Sequence, residues 1–152
     1  MDILYQLPLP KEVCSKIFIF ACKSPHIGLG GAILKNIIGI PIYNKLVKKG
    51  GIVLDGDGHV VEFRLHDKNN YGLLYNSEQD QLTFEIADLN SLPNLTNIDL
   101  SYTVVAWDIA HLKLLSNLKV ISLGHTSVTG DIMQLKSLPN LTEIKLSRTG
   151  VT

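Results

Sequence analysis

The sequence predicts an α/β solenoid, a stack of short coils sharing one apolar interior behind an N-terminal helical cap. Three observations carry that prediction. Six residue columns recur every 23 positions in the C-terminal part of the chain, and a fixed period of this size marks coils that cannot bury their apolar faces alone. Each recurrence holds an Ile-x-Leu pair, the period-2 spacing of a strand with its apolar side turned inward. The composition, 45% hydrophobic and 18% charged over 152 residues, is rich enough for a core and too apolar for a disordered chain.

The repeat is read directly from the residues. From Leu92 the chain runs LPNLTNIDLSYTVVAWDIAHLKL, from Leu115 LSNLKVISLGHTSVTGDIMQLKS, and from Leu138 LPNLTEIKLSRTGVT. Leu92, Leu115 and Leu138 align, as do Leu95, Leu118 and Leu141, then Ile98, Ile121 and Ile144. Leu100, Leu123 and Leu146 follow, with Thr103, Thr126 and Thr149, and Val105, Val128 and Val151. The pattern LxxLxxIxLxxTxV closely resembles the leucine-rich repeat family, whose period spans about 20–29 residues. The resemblance covers about 70 residues, from Leu82 to the end. It implies a leucine-rich repeat array with a parallel β-sheet on the concave face.

Two features vary the family pattern. Thr103, Thr126 and Thr149 stand where many repeats place Asn or Cys, and their hydroxyls are expected to donate to backbone carbonyls and form a ladder. Thr129-Gly130-Asp131-Ile132 is similar to the LxGxIP element of plant-type repeats. Phe84-Glu85-Ile86 and Trp107-Asp108-Ile109 occupy the same columns. The recurring carboxylates Glu85, Asp108 and Asp131 are expected to bond turn amides.

Upstream the repeat decays. Asn69 and Gly72 fall in columns that should hold Leu. Val60 to Leu65 reads as a strand after a turn, with Phe63 and Leu65 in the Ile-x-Leu columns. Leu65 lies 35 residues before Leu100, so about half an extra coil, Lys68 to Gln81, is expected as an inserted loop. The domain reading is a helical cap over residues 1–52 and repeats over 53–152, the array expected to be cut short in mid-coil or covered there by another chain.

The N-terminal stretch Leu9-Pro10-Lys11-Glu12-Val13, followed by Ile17-Phe18-Ile19-Phe20, is similar to the opening helix of an F-box. That resemblance implies docking on a ubiquitin-ligase adaptor and, as the alternative function, an F-box-type substrate receptor of a cullin ubiquitin ligase. It ends after about 15 residues, because ACKSPHIGLGGAILKNII lacks the expected Trp-containing stretch. The alternative reading is a helix that only closes the solenoid, since an apolar stripe at i, i+4, i+7 is generic.

Other motifs carry less. His26 to Tyr43 is apolar for 18 positions, near the lower limit for a membrane span, but Lys35-Asn36 and Pro41 interrupt it, so a buried cap helix is expected. Asp55-Gly56-Asp57-Gly58 fails as a calcium loop, since Val53 and Arg64 would take its first and last ligand positions. Gly28-Leu29-Gly30-Gly31-Ala32-Ile33 lacks the third glycine of a dinucleotide loop. The five His residues pair with no nucleophile or ligand in a known spacing, so no enzyme, cofactor or metal is expected. Equal numbers of acidic and basic residues, with only Arg64 and Arg148 as arginines, argue against nucleic acid. Cys14 and Cys22 show no ligand spacing; with no secretion signal, they suit a cytoplasmic protein, in which the sequons at Asn94 and Asn140 go unmodified.

A protein ligand is the expected partner. Strand alternation turns Arg64, Asn97, Asp99, Ser101, Ser122, Glu143 and Lys145 outward on the concave sheet, and Tyr102, His125 and Arg148 form a column at the strand ends. Glu62, His66, Val120, Gly124 and Ser147 belong to the same outward rows. Ile121 is expected to be buried between Ile98 and Ile144, and Ser122 to be exposed. Self-association through an open C-terminal coil is the further partner expectation.

Overall fold

A computed structural model describes residues 29–66, 72–74 and 84–152. The F-box-like stretch, both cysteines and most of the expected inserted loop lie outside the described residues. The chain opens with α1 (Leu29–Ile38) and α2 (Ile40–Lys49), then β1 (Ile52–Leu54) and β2 (Val60–Arg64). Single strands follow at each recurrence: β3 (Asn97–Asp99), β4 (Val120–Ser122) and β6 (Glu143–Lys145). Two further short strands, β5 (Thr129–Gly130) and β7 (Gly150–Val151), lie on the returning side of the coils.

From Leu29 on, the apolar run becomes two helices rather than one. Gly39 adopts φ 83, a left-handed conformation that an L side chain resists, and Pro41 stands in the first turn of α2, where its missing N–H costs nothing. Gly50, at φ 74, ends α2 with its N–H bonded back to Leu46 and Val47. Leu34, Ile38, Tyr43 and Leu46 are buried, and the pair packs on β1, β2 and the first short helix of the coils. No helix among the described residues is long and apolar enough to cross a membrane.

The main sheet runs β1-β2-β3-β4-β6, antiparallel at β1-β2 and parallel thereafter. Its register follows the columns: Phe63 lies beside Ile98, Ile98 beside Ile121, and Ile121 beside Ile144. β5 and β7 pair in parallel as a second, two-stranded sheet. Between the sheets each coil turns through a short 3-10 helix, at Ile86–Ser91, Ile109–Leu114 and Ile132–Ser137.

The recurring carboxylates start these helices. Asp108 and Asp131 accept from the amides of Ala110 and Met133, each at 2.8 Å, satisfying donors that a helix start leaves without a partner. Glu85 and Asp88 cap each other's backbone amides reciprocally. Phe84 and Trp107 of the aromatic column pack with ring centroids 5.3 Å apart, and Phe63 from the Ile column meets Phe84 at 5.7 Å, both pairs tilted by 57°. The aromatic column stops at Gly130, where φ is 113 and a Cβ would lie 2.5 Å from an Asp108 carboxylate oxygen.

The threonine hydroxyls donate to backbone carbonyls as expected, at equivalent positions in successive coils. Thr103, Thr126 and Thr149 donate to Leu100, Leu123 and Leu146 at 2.6, 2.6 and 2.7 Å, three residues back in the same coil. They brace the turn and do not link coils. Beside the backbone bonds of the sheet, side-chain bonds also link successive coils. Asn117 and Asn140 donate to Pro93 and Ser116 of the preceding coil, both at 2.9 Å. Thr96 and Thr142 donate to Val61 and Lys119 at 2.9 and 3.0 Å.

Candidate functional site: the concave groove

The parallel strands place every second side chain on a concave face, which holds an open groove of about 570 Å³. Nine of the ten expected residues line it: Arg64, Asn97, Asp99, Ser101, Tyr102, Ser122, His125, Glu143 and Lys145. Val120, Gly124 and Ser147 complete the floor. Arg148 is exposed at the end of its column and does not line the groove.

The register sets two charged rows. Arg64, Asp99, Ser122 and Lys145 lie side by side across the four parallel strands, as do Glu62, Asn97, Val120 and Glu143. Charge is concentrated at the two ends. Arg64 pairs with Glu62 at 2.9 Å, and Lys145 with Glu143 at 2.7 Å. The Lys145 amine is held above its ordinary range by its hydrogen bond to Glu143 and by the charges of Glu143 and Asp99. Between the ends the floor carries the Asp99 carboxylate among short polar or apolar side chains.

Two parts of the outward reading are corrected. Ser122 is only 6% exposed and Ser101 only 8%. Both face the groove, but adjacent strands lie only about 4.8 Å apart, so longer neighbours shade a short side chain on a concave surface. His66, placed in the same outward rows, is 5% exposed because the Tyr102 ring packs edge-on against it at 5.7 Å.

The strand-end column has a backbone cause that the sequence did not reveal. Tyr102, His125 and Arg148 have φ of 57, 59 and 57, a region that costs an L residue about 1–2 kcal/mol. The coil geometry imposes it: Tyr102 N–H donates to Gly124 at 2.9 Å and His125 N–H to Ser147 at 2.8 Å. One consequence is a stack, with the Tyr102 and His125 rings 4.3 Å apart and 19° from parallel. His66, Tyr102 and His125 thus form a continuous ring ladder along one rim, and Tyr102 remains 49% exposed.

Away from the groove, Asp55, Asp57 and His59 bring ligand-type atoms within 4.8 Å of one another. Asp55 already accepts from the His59 and Asp57 amides and from the His59 ring, and these bonds, led by the His59 amide, hold its carboxyl below the ordinary range. The cluster is a self-satisfied turn feeding β2.

No protein-family model matches the chain, and no curated protein matches it. Solved structures do. The leucine-rich repeat ectodomain of the receptor kinase SOBIR1 from Arabidopsis thaliana is 15% identical with a TM-score of 0.50, over 91% of this chain and 82% of that one. Internalin C2 from Listeria monocytogenes is 31% identical with a TM-score of 0.40, over 45% of this chain and 29% of that one. The ectodomain of the receptor kinase GASSHO1/SCHENGEN3 from Arabidopsis thaliana, in complex with Casparian strip integrity factor 2, is 20% identical with a TM-score of 0.45, over 66% of this chain and 14% of that one. This chain thus spans under a third of the length of the internalin. The likeness to the SOBIR1 ectodomain concerns fold alone, and with the register described above it makes this chain a leucine-rich repeat solenoid with a parallel sheet.

Proposed function

We propose that the chain is a protein-interaction module that holds a protein segment along its concave groove. The observation carrying this reading is the convergence of nine polar, charged and aromatic side chains, supplied by successive parallel strands, on one open surface. Such a surface suits a ligand with complementary charges at spaced positions, which steer association and fix register. The rim ladder adds an exposed aromatic of the type that dominates interface energetics. The ladder is also preordered by backbone bonds and stacking, so little side-chain freedom is lost on binding. Catalysis forms no part of the proposal, because the groove presents no nucleophile held against a base.

Selection of displayed peptides on the immobilised chain tests this. Tyr102→Ala and Lys145→Ala are each expected to weaken a selected ligand by about 1–3 kcal/mol with folding unchanged. Ligands unaffected by both changes, yet lost on substitution of the convex-side His111 or Gln134, would refute the concave assignment.

Three finer readings accompany it. The helices α1 and α2 serve as a cap on the first coil, supported by their packing on β1 and β2. A cytoplasmic setting is supported by two cysteines without a disulfide framework. A ubiquitin-ligase adaptor as second partner rests only on the F-box-like residues Leu9 to Phe20, and failure of the purified adaptor to bind would remove it.

A further inference from the structure

The charges at the two ends of the groove are engaged on their own strands, whereas one carboxylate on the floor between them is not. Arg64 stands in register beside Asp99. Its guanidinium nevertheless pairs with Glu62 at 2.9 Å and donates to the Gly50 carbonyl at 3.1 Å. The Lys145 amine, two strands from Asp99, rests on Glu143 at 2.7 Å. Each of these pairs is neutral within itself. Asp99 forms no ion pair among the described residues, and one oxygen of its carboxylate accepts the Ser101 amide at 3.2 Å. The other oxygen accepts no hydrogen bond from a described residue.

The floor around this carboxylate is kept low. Ser122 lies beside Asp99 on β4, and Ser101, Gly124 and Ser147 form the next outward row. None of them is long enough to reach over Asp99, and the Tyr102-His125 stack stands beyond them at the rim. A segment lying across the strands therefore covers Asp99 and takes water from it. Covering a carboxylate without offering a charged or hydrogen-bonding partner is costly. A cation placed there recovers that cost, and the concave walls strengthen its attraction.

We propose that the groove selects its protein ligand by one basic side chain, a lysine or arginine seated on Asp99. The inference rests on the groove reading above and names the chemistry of its ligand. Selection works in both directions. A basic side chain gains a charge-assisted hydrogen bond to the open carboxylate oxygen, and an acidic or apolar one at the same place is rejected by the buried charge. The paired ends add no net attraction of either sign, so Asp99 alone sets which position of the ligand must be basic. Arginine engages both carboxylate oxygens as a fork, and lysine engages one as a point charge.

Selection of displayed random peptides in parallel on the full parent chain and on Asp99→Asn tests it. Asparagine keeps the shape of the side chain and the acceptor for the Ser101 amide, and removes only the charge. Asp99→Ser, which repeats the residue of the same row in β4, takes its place should Asp99→Asn fail to fold. Peptides selected on the parent are expected to carry Lys or Arg at one fixed position and to bind the variant at least about tenfold more weakly. Glutamine at that position of the peptide should weaken binding to the parent by a similar factor. It should leave binding to the variant unchanged, because both substitutions remove the same interaction. Peptides that require Tyr102 yet carry no fixed basic residue, or bind parent and variant equally, overturn the inference and leave the groove reading standing. Peptides indifferent to Tyr102→Ala, or a selection that yields none, overturn the groove reading and this inference together.

Discussion

The coil around β4 and the coil around β6 carry the same residues in the same columns and differ in burial. Leu118, Ile121 and Leu123 are fully buried, whereas Leu141 and Leu146 are only half-buried and Ile144 is exposed. Column identity therefore does not decide burial. A neighbour on each side does, because each coil covers only the next one and stability is close to a sum of coil and interface contributions.

The largest expected effect sharpens that comparison. Ile121→Asp buries a charge with no partner and should cost of order 4 kcal/mol, enough to unfold the array. Ile144→Asp leaves its carboxylate partly in water and should cost less than half as much. Chemical denaturation of both variants reads the difference, and equal losses would break the neighbour argument.

A smaller effect is expected on the groove floor. Strand alternation alone makes Ser122 exposed and Ser122→Asp nearly neutral. With Ser122 only 6% exposed and Asp99 in register beside it, a loss of about 1–2 kcal/mol now follows. A thermal melt within error of the parent would restore the simpler alternation reading.

The smallest expected effect separates cross-coil bonds from coil interiors. Asn117→Ala removes the bond to Pro93, and Asn140→Ala the bond to Ser116. Each should cost about 1 kcal/mol by denaturation, as one hydrogen bond at an exposed site does. Near-equal losses are expected here, since each bond ties a coil to the one before it. A much larger loss at Asn117 would mean that coil position governs these bonds as well.

Much of the fold was legible because a repeat declares itself three times. The 23-residue columns alone place Ile98, Ile121 and Ile144 in one register, and they identify the carboxylates of Asp108 and Asp131 as turn-amide partners. The choice of acceptor was not legible. Thr126 and Thr142 both donate to backbone, yet one closes its own turn and the other reaches the neighbouring coil. Their hydroxyls are chemically identical, and only position on the coil distinguishes them. Alternation alone placed seven of the ten candidate residues, Arg64, Asn97, Asp99, Ser101, Ser122, Glu143 and Lys145, on one surface, whereas Tyr102 and His125 reach it through their left-handed backbone.

The sequence by itself determined the period, the inward columns and the polar row that alternates with them, because side-chain direction along a strand is a local property of the chain. Tertiary structure decided the remainder. Shading of Ser101 and Ser122, burial of His66 beneath Tyr102, the left-handed backbone under the Tyr102-His125-Arg148 column and the exposure of Ile144 all depend on what the adjacent coil supplies. Burial and hydrogen-bond partners are properties of neighbouring coils, which no single coil's residues encode.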